Sequence, residues 1–415
     1  MPKTSLTSSP SRRPVLRAAI VYALLFGAVG AYMPYVPIYL SSTGLDLGTV
    51  GALLALFAAV GLVAAPSWGA LADGIGDVRG PVLAAALLSG GAIVLLGLAT
   101  SPVALAVAMA LLAAAFAGVI PMVDSQTVRL VGDRDRFGQA RGPGSAAFVV
   151  MTFVSGAVIG LTGPRGMFLV FGPLVVLTGV AAWLLLRQPD PSAAERALRG
   201  RSGSAARALA SLSPATIVRV LRAPRLSLFF VGSIVVWTAQ ATLLGFLSLR
   251  LLDIHADATT IAAAWSVGAV VEVPLMAAFP RLARRFGVER LIVAGALAFV
   301  FRAAVTALVA EPVLIVAASS FGGIGFAFFY VGTVIWVSGA VRPEAQATAQ
   351  GIFTGTANNV GVIVGSIVGG AIGAALGLPA LFGLAAAGYG VGAALVWLGI
   401  RRRRSPAARP DITSA

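Results

Sequence analysis

The sequence has no cysteine, a single histidine, His255, and a single lysine, Lys3. No disulfide and no thiolate metal site is therefore available, and one histidine cannot assemble a His-rich metal centre. His255 lies between Asp253 and Asp257 and reads as a solvated loop residue. An enzyme needs a positioned nucleophile, base or metal, and only carboxylates and hydroxyls remain, so no enzyme, metal or cofactor is expected. Charge is scarce as well: 11% of 415 residues are charged, against about 25% in an average soluble domain. A soluble chain so poor in polar groups would be unable to cover its own surface. There is also no room for the added soluble domain of a sensor.

Apolar residues fill the space, at 58%. About twelve apolar stretches reach spanning length. They lie near 17–40, 47–72, 81–100, 103–128, 142–162, 166–187, 226–249, 258–280, 290–310, 312–341, 346–374 and 378–400. The fold expected is an all-α membrane protein, with twelve transmembrane helices in two pseudo-symmetric six-helix bundles. The polar, basic stretch 188–224 is the one long connection and divides residues 1–187 from 225–404, with 405–415 as a tail. Parts of 188–224 suit a surface helix on anionic lipid. The halves look related: Phe116 to Asp124 lies on Phe321 to Phe329, and Gln139-Ala-Arg141-Gly142 on Thr348-Ala-Gln350-Gly351. Such internal symmetry is typical of transporters whose site lies between repeats.

The net charge of +15 would suggest a nucleic-acid partner in a soluble protein, but its distribution argues against one. Arginines crowd alternate loops: Arg12, Arg13 and Arg17; Arg79; Arg129 to Arg141; the connection 188–224; Arg281 to Arg290; Arg342; and Arg401 to Arg404. The other loops hold Arg165 and Arg250 beside Asp46, Asp253, Asp257 and Glu311. This positive-inside pattern places both termini in the cytoplasm. The first apolar run has no small-residue cleavage site and is expected to be retained. Arginine in place of lysine, with abundant alanine and glycine, is compatible with a GC-rich bacterial genome. A bacterial cytoplasmic (inner) membrane protein, multi-pass and monomeric, is expected.

Four charges inside apolar segments carry the functional argument, because each costs about 2.5 kcal/mol or more at a bilayer centre unless it faces a partner or water. Glu272 lies nine residues before Arg281, and Arg302 twelve beyond Arg290, depths of roughly 13 and 18 Å at about 1.5 Å per residue. They are expected to meet, as a proton-coupling pair or as a permanent structural lock. Asp124 and Arg141 stand a little over one turn inside the same face. That pair serves substrate or proton handling, or merely ties two helices together.

Further cavity candidates are Gln240, Tyr330, Trp336, Asn358 and Asn359, although intramembrane amides often bridge helices. Phe326, Phe328 and Phe329 read as packing. Tyr32, Tyr35 and Tyr39 read as interfacial anchors or as pathway lining.

One loop, Gly69-Ala-Leu-Ala-Asp73-Gly-Ile-Gly76-Asp77-Val-Arg79, resembles the loop between helices 2 and 3 of the major facilitator superfamily. Physically, Gly69 permits close helix approach, and Asp73 at a helix end can accept hydrogen bonds from a neighbouring helix. The basic residues usual after the aspartate are missing apart from Arg79. Pro34-Tyr-Val-Pro-Ile-Tyr-Leu40, Trp68 to Asp73, Glu272-Val-Pro-Leu-Met276, Arg284-Arg-Phe-Gly287, Phe321 to Phe326 and Ala347 to Gly351 extend the resemblance over nearly the whole chain. They resemble the branch containing phenylpropionate permease-like and nucleoside proton symporter-like proteins, relatives of lactose permease.

The resemblance implies a central cavity open alternately to each side. It also implies that Asp124 and Arg141 occupy the places of the sugar-binding acid and arginine, and that Glu272 and Arg302 match an acid on helix 8 and an arginine on helix 9. The histidine and glutamate of helix 10 are absent, where Gly325, Phe328, Phe329 and Tyr330 stand, so Glu272 or Asp124 must carry any proton. The function expected is proton-coupled uptake of a small organic solute; the alternative is proton-driven efflux of drugs or metabolites.

Overall fold

A computed structural model describes residues 13–132, 134–187, 224–340, 353 and 359–401. The connection 188–223, the tail, Asn358 and the segment Thr348 to Gly351 lie outside them. Among the described residues eleven helices are long and apolar enough to cross a membrane.

In chain order the first set comprises α1 (Arg13–Tyr32), α2 (Val36–Ser42), α3 (Leu47–Ile75), α4 (Arg79–Leu98), α5 (Pro102–Phe116), α6 (Val119–Val131), α7 (Arg134–Thr162) and α8 (Gly166–Leu185). The second comprises α9 (Pro224–Asp253), α10 (Ala258–Phe286), α11 (Val288–Leu308), α12 (Pro312–Ala340) and α13 (Asn359–Arg401).

Three local features explain where these helices break. Pro34 and Pro37 separate α1 from α2, and α2 carries proline in its first turn, where the missing N–H costs nothing. Ala117-Gly118 separates α5 from α6, and Trp68 Nε1 satisfies the carbonyl of Ala114 there at 2.7 Å. The matching stretch Phe321 to Phe329 runs unbroken through α12; it has Phe326 where the first has Pro121, so its N–H ladder is intact. Finally, α13 is two helices joined across Gly377, whose φ of 82° and ψ of 168° are not helical. A straight helix of its 43 residues would be roughly 64 Å long, about twice the hydrocarbon core.

Helix starts at one end are capped by side chains. Asp46 accepts from Thr49 N at 3.1 Å and Asp257 from Thr260 N at 2.8 Å. The threonine hydrogen bonds hold both carboxyls below their usual range, hydroxyl first and backbone N–H second. At the opposite end the Arg79 side-chain hydrogen bond does the same for Asp77.

The closest packing runs within each set, α1 on α7 in the first, α9 on α13 and α12 on α10 and α11 in the second. The sets meet chiefly where α3 packs on α13 and α7 on α10. Both contacts lie at the Asp46/Asp257 end. A Cβ on Gly51 would sit 2.8 Å from Gly370 Cα, and one on Gly156 would sit 3.0 Å from the carbonyl of Ala258. One large buried cluster runs through both sets there, taking Tyr35, Tyr39 and Leu53 with Leu243, Phe246 and Ile261. Toward the Arg79/Arg285 end the first set has a separate cluster around Tyr22, Leu25, Val82 and Met122. Among the described residues the helices are thus sealed together at one end and part toward the other.

The tyrosines near the first break are not interfacial anchors. Tyr35 and Tyr39 are buried, donating to the carbonyls of Thr152 at 2.8 Å and Leu96 at 2.7 Å. They join α2 to α7 and α4, satisfying their hydroxyls inside the protein as burial requires.

Candidate functional site

Gly144 sets the geometry of the charged cluster. It lies three residues after Arg141 on α7, and a Cβ there would come within 2.9 Å of Phe26 Cδ2 and 3.1 Å of the Tyr22 carbonyl. Its lack of a side chain lets α7 press against α1 and brings Arg141 over that helix. The Arg141 guanidinium lies 4.7 Å from the centre of the Phe26 ring and 3.6 Å from Asp124 Oδ1. Tyr22 donates its hydroxyl to the same carboxylate oxygen at 2.6 Å. Asp124 therefore holds a phenol and a guanidinium from α1 and α7. Both charged side chains keep exposure, 33% for Asp124 and 42% for Arg141, although they belong to spanning helices. An accessible ion pair at this depth needs water beside it.

Glu272 stands on α10, which packs against α7, the helix that bears Arg141. The charge that reaches it is Arg141, not Arg302, and among the described residues its carboxylate makes no ion pair. The expected meeting of Glu272 with Arg302 does not occur. Helix α12 packs against both α10 and α11, which touch each other little. A Cβ on Gly323 would strike the backbone of Gly268 and Glu272, while one on neighbouring Gly322 would strike the Arg302 guanidinium. Arg302 is 5% exposed and its Nε has no hydrogen-bond partner among the described residues. The nearby polar group acting on it is Tyr389, which donates to Gln240 Oε1 at 2.5 Å.

A cavity of about 340 Å³ opens between the sets, closer to the sealed end. Tyr32, Phe57, Met109 and Phe171 line it from one side, Leu244 and Trp265 from the other. Val29 on its wall is seven residues beyond Tyr22 on α1, or roughly 10 Å at about 1.5 Å per residue. The charged cluster thus lies below an apolar, aromatic chamber.

The MFS_1 like family model matches residues 15–382. The chain belongs to that family. It is a multi-pass membrane transporter of the major facilitator superfamily. Among curated proteins it resembles a maltose permease of Geobacillus stearothermophilus, 28% identical over 354 residues that cover 82% of this chain and 83% of the permease. Among solved structures it resembles the nucleoside transporter NupG, with a TM-score of 0.79 at 17% identity, covering 94% of this chain and 99% of that one. A bacterial homologue of the human lysosomal transporter Spinster, in an inward-facing and occupied conformation, aligns with a TM-score of 0.71 at 15% identity, covering 96% and 100%.

Other residues singled out in this MFS_1 like chain take different places. Gln240 bridges α9 to α13 through Tyr389. Trp336 is buried and stacks on Phe229 with ring centres 3.9 Å apart. Tyr330 is half-buried, stacked on Phe326 at 5.0 Å, and Asn359 is half-buried at the start of α13. None of these four lines the apolar chamber. Phe329 is fully buried against Phe299 and Trp237, as packing.

In the loop, a Cβ on Gly69 would meet nothing within 4 Å among the described residues. Asp73 is exposed in the last turn of α3. Arg79 pairs with Asp77 at 2.8 Å and lies over the Trp183 ring. Sequence reasoning missed the chamber walls, Tyr32 excepted. The available signal was Trp265, the one bulky ring in the alanine-rich start of α10.

Proposed function

We propose that this transporter couples proton movement to the passage of a small organic solute by alternating access. Twelve spans form two six-helix bundles, residues 1–187 and 225–404, that rock about the central cavity. The arginine pattern sets the Asp46/Asp257 end outside and both termini in the cytoplasm of a bacterial inner membrane. The described conformation, shut at the Asp46/Asp257 end, is then the one open to the cytoplasm.

One arrangement carries the coupling: Arg141 sits 3.6 Å from Asp124 of its own bundle, on a helix that packs against the one bearing Glu272 of the other. Glu272 is within the electrostatic reach of that guanidinium. Protonated Glu272 has no charge to offer, and Arg141 rests on Asp124 with the inner end open. Once Glu272 loses its proton, its charge draws Arg141 across the gap and pulls the inner halves of α7 and α10 together. A cation attracts an ionised carboxylate far more than a neutral one, so proton loss and closure are linked. Solute and proton leave to the cytoplasm from the same inward-open state, and only the emptied, deprotonated carrier closes there and returns, so the two loads travel together.

The test uses proteoliposomes holding a pH-sensitive dye, with maltose, uridine and neutral aromatic compounds offered in turn. A transported solute is expected to move protons in wild type. In Glu272→Gln it is expected to exchange without proton movement. Proton movement that is normal in Glu272→Gln would refute the assignment. Running the gradient in both orientations separates uptake from efflux; the apolar chamber is the observation that favours the efflux reading of a lipophilic load.

A further inference from the structure

We infer that the chamber between the bundles is built for a planar, lipophilic solute with a single hydrogen-bond acceptor, and that it excludes sugars and nucleosides. This rests on the transport reading above and adds the class of load.

Among the described residues its wall carries no charged side chain and few polar atoms. Trp265 Nε1 is already committed to Ser248 Oγ at 2.9 Å. The Tyr32 hydroxyl has only the Met109 sulfur, at 3.5 Å, a weak acceptor that a ligand oxygen would displace. Ser366 adds one further hydroxyl. A sugar or nucleoside entering this space would strand several hydroxyls with nothing to bond, and such stranding is what gives polar sites their discrimination.

The aromatic walls, in contrast, offer flat faces. Tyr32 lies 5.0 Å from Phe171 and 6.1 Å from Phe57, both tilted by less than a right angle, and Trp265 closes the far side. Rings gain most from offset or edge contacts with other rings at such spacings. The volume of about 340 Å³ lies at the low end of the roughly 300–1,000 Å³ of ligand sites, fitting a two- or three-ring compound. The chain thus differs in load from relatives named for maltose and nucleosides.

The probe is 2-acetylnaphthalene, planar with one carbonyl acceptor, measured against maltose and uridine on the full-length protein in detergent. Two variants fill the chamber from opposite walls. Gly245→Phe starts from a position where a Cβ has room, with Leu54 Cδ1 at 3.5 Å; Ala58→Phe enters from α3. Saturable binding to wild type is expected, weakened more than about tenfold by either fill, as a steric block requires. Energy transfer from tryptophan to the bound probe is expected to drop in Trp265→Phe, a readout that does not depend on the fills.

Probe uptake that never saturates overturns the inference, as does binding that survives both fills with undiminished transfer in Trp265→Phe. Saturable maltose or uridine binding that Gly245→Phe abolishes also overturns it, while leaving the transport reading standing. Conversely, loss of proton linkage in the proteoliposome assay leaves this equilibrium binding untouched, so the two readings fail separately.

Discussion

Placing a side chain at Gly51 should unseat the shut end of the transporter. A Cβ there would lie 2.3 Å from the Ser366 carbonyl and 2.8 Å from Gly370 Cα. Both obstacles are backbone, so no rotamer change relieves them, and α3 must move away from α13 by about 1 Å. Overpacking of this kind costs about 1–3 kcal/mol. If the cost falls only on the shut state, the equilibrium shifts by about 5- to 150-fold. The absence of native cysteine makes the assay simple, since a lone Met33→Cys on the chamber wall is the only thiol. Labelling by an impermeant maleimide from outside should accelerate in Gly51→Ala and further in Gly51→Val. Gly69→Ala, which meets nothing within 4 Å, should leave the rate unchanged. Wild-type labelling rates in both Gly51 variants, with unchanged melting temperature, would mean that this contact does not close the chamber.

Other consequences follow from the charges. A double-mutant cycle between Glu272→Gln and Arg141→Gln should show coupling above about 0.5 kcal/mol, whereas Glu272→Gln with Arg302→Gln should be additive within about that amount; the reverse ordering would restore the pair expected from depth alone. Arg302→Met should be neutral or stabilising in a thermal melt, because an unpaired buried guanidinium is replaced by an apolar chain of similar length. A large drop in melting temperature would reveal a partner for Arg302. Asp257→Ala should cost about 1 kcal/mol through loss of the helix cap. Its folded carboxyl lies below the ordinary value, so the cap contributes fully above that value and fades as pH falls through the folded one. Melts of wild type and Asp257→Ala should therefore converge in acid, and parallel pH curves would count against the capping role.

The comparison of Glu272 with Arg302 shows how far sequence reasoning reaches. Counting residues from the flanking arginines put both charges at similar depth. It also assumed that consecutive helices touch. Instead α12 packs against both helices of the pair, and α10 packs against α7, which brings Arg141, more than a hundred residues away in sequence, within electrostatic reach of Glu272. Asp124 and Arg141 did meet as a pair, because α7 packs along α1 and both touch α6. Gln240 was legible as polar and intramembrane, but only the fold shows that Tyr389 consumes its carbonyl. For Gly69 no described neighbour comes close, since a small residue permits close packing without ensuring it.

Depth in a bilayer is a property of one segment against its solvent, so hydropathy suffices to read the spans, and the transporter class came from motif resemblance such as the loop Gly69 to Arg79. Direction around a helix axis depends on which neighbours press on it. That is set by contacts such as Gly51 on Gly370 and Gly144 on Phe26, between residues far apart in the chain. The partner of each buried charge, the shut end and the aromatic wall of the chamber therefore belong to the tertiary structure alone.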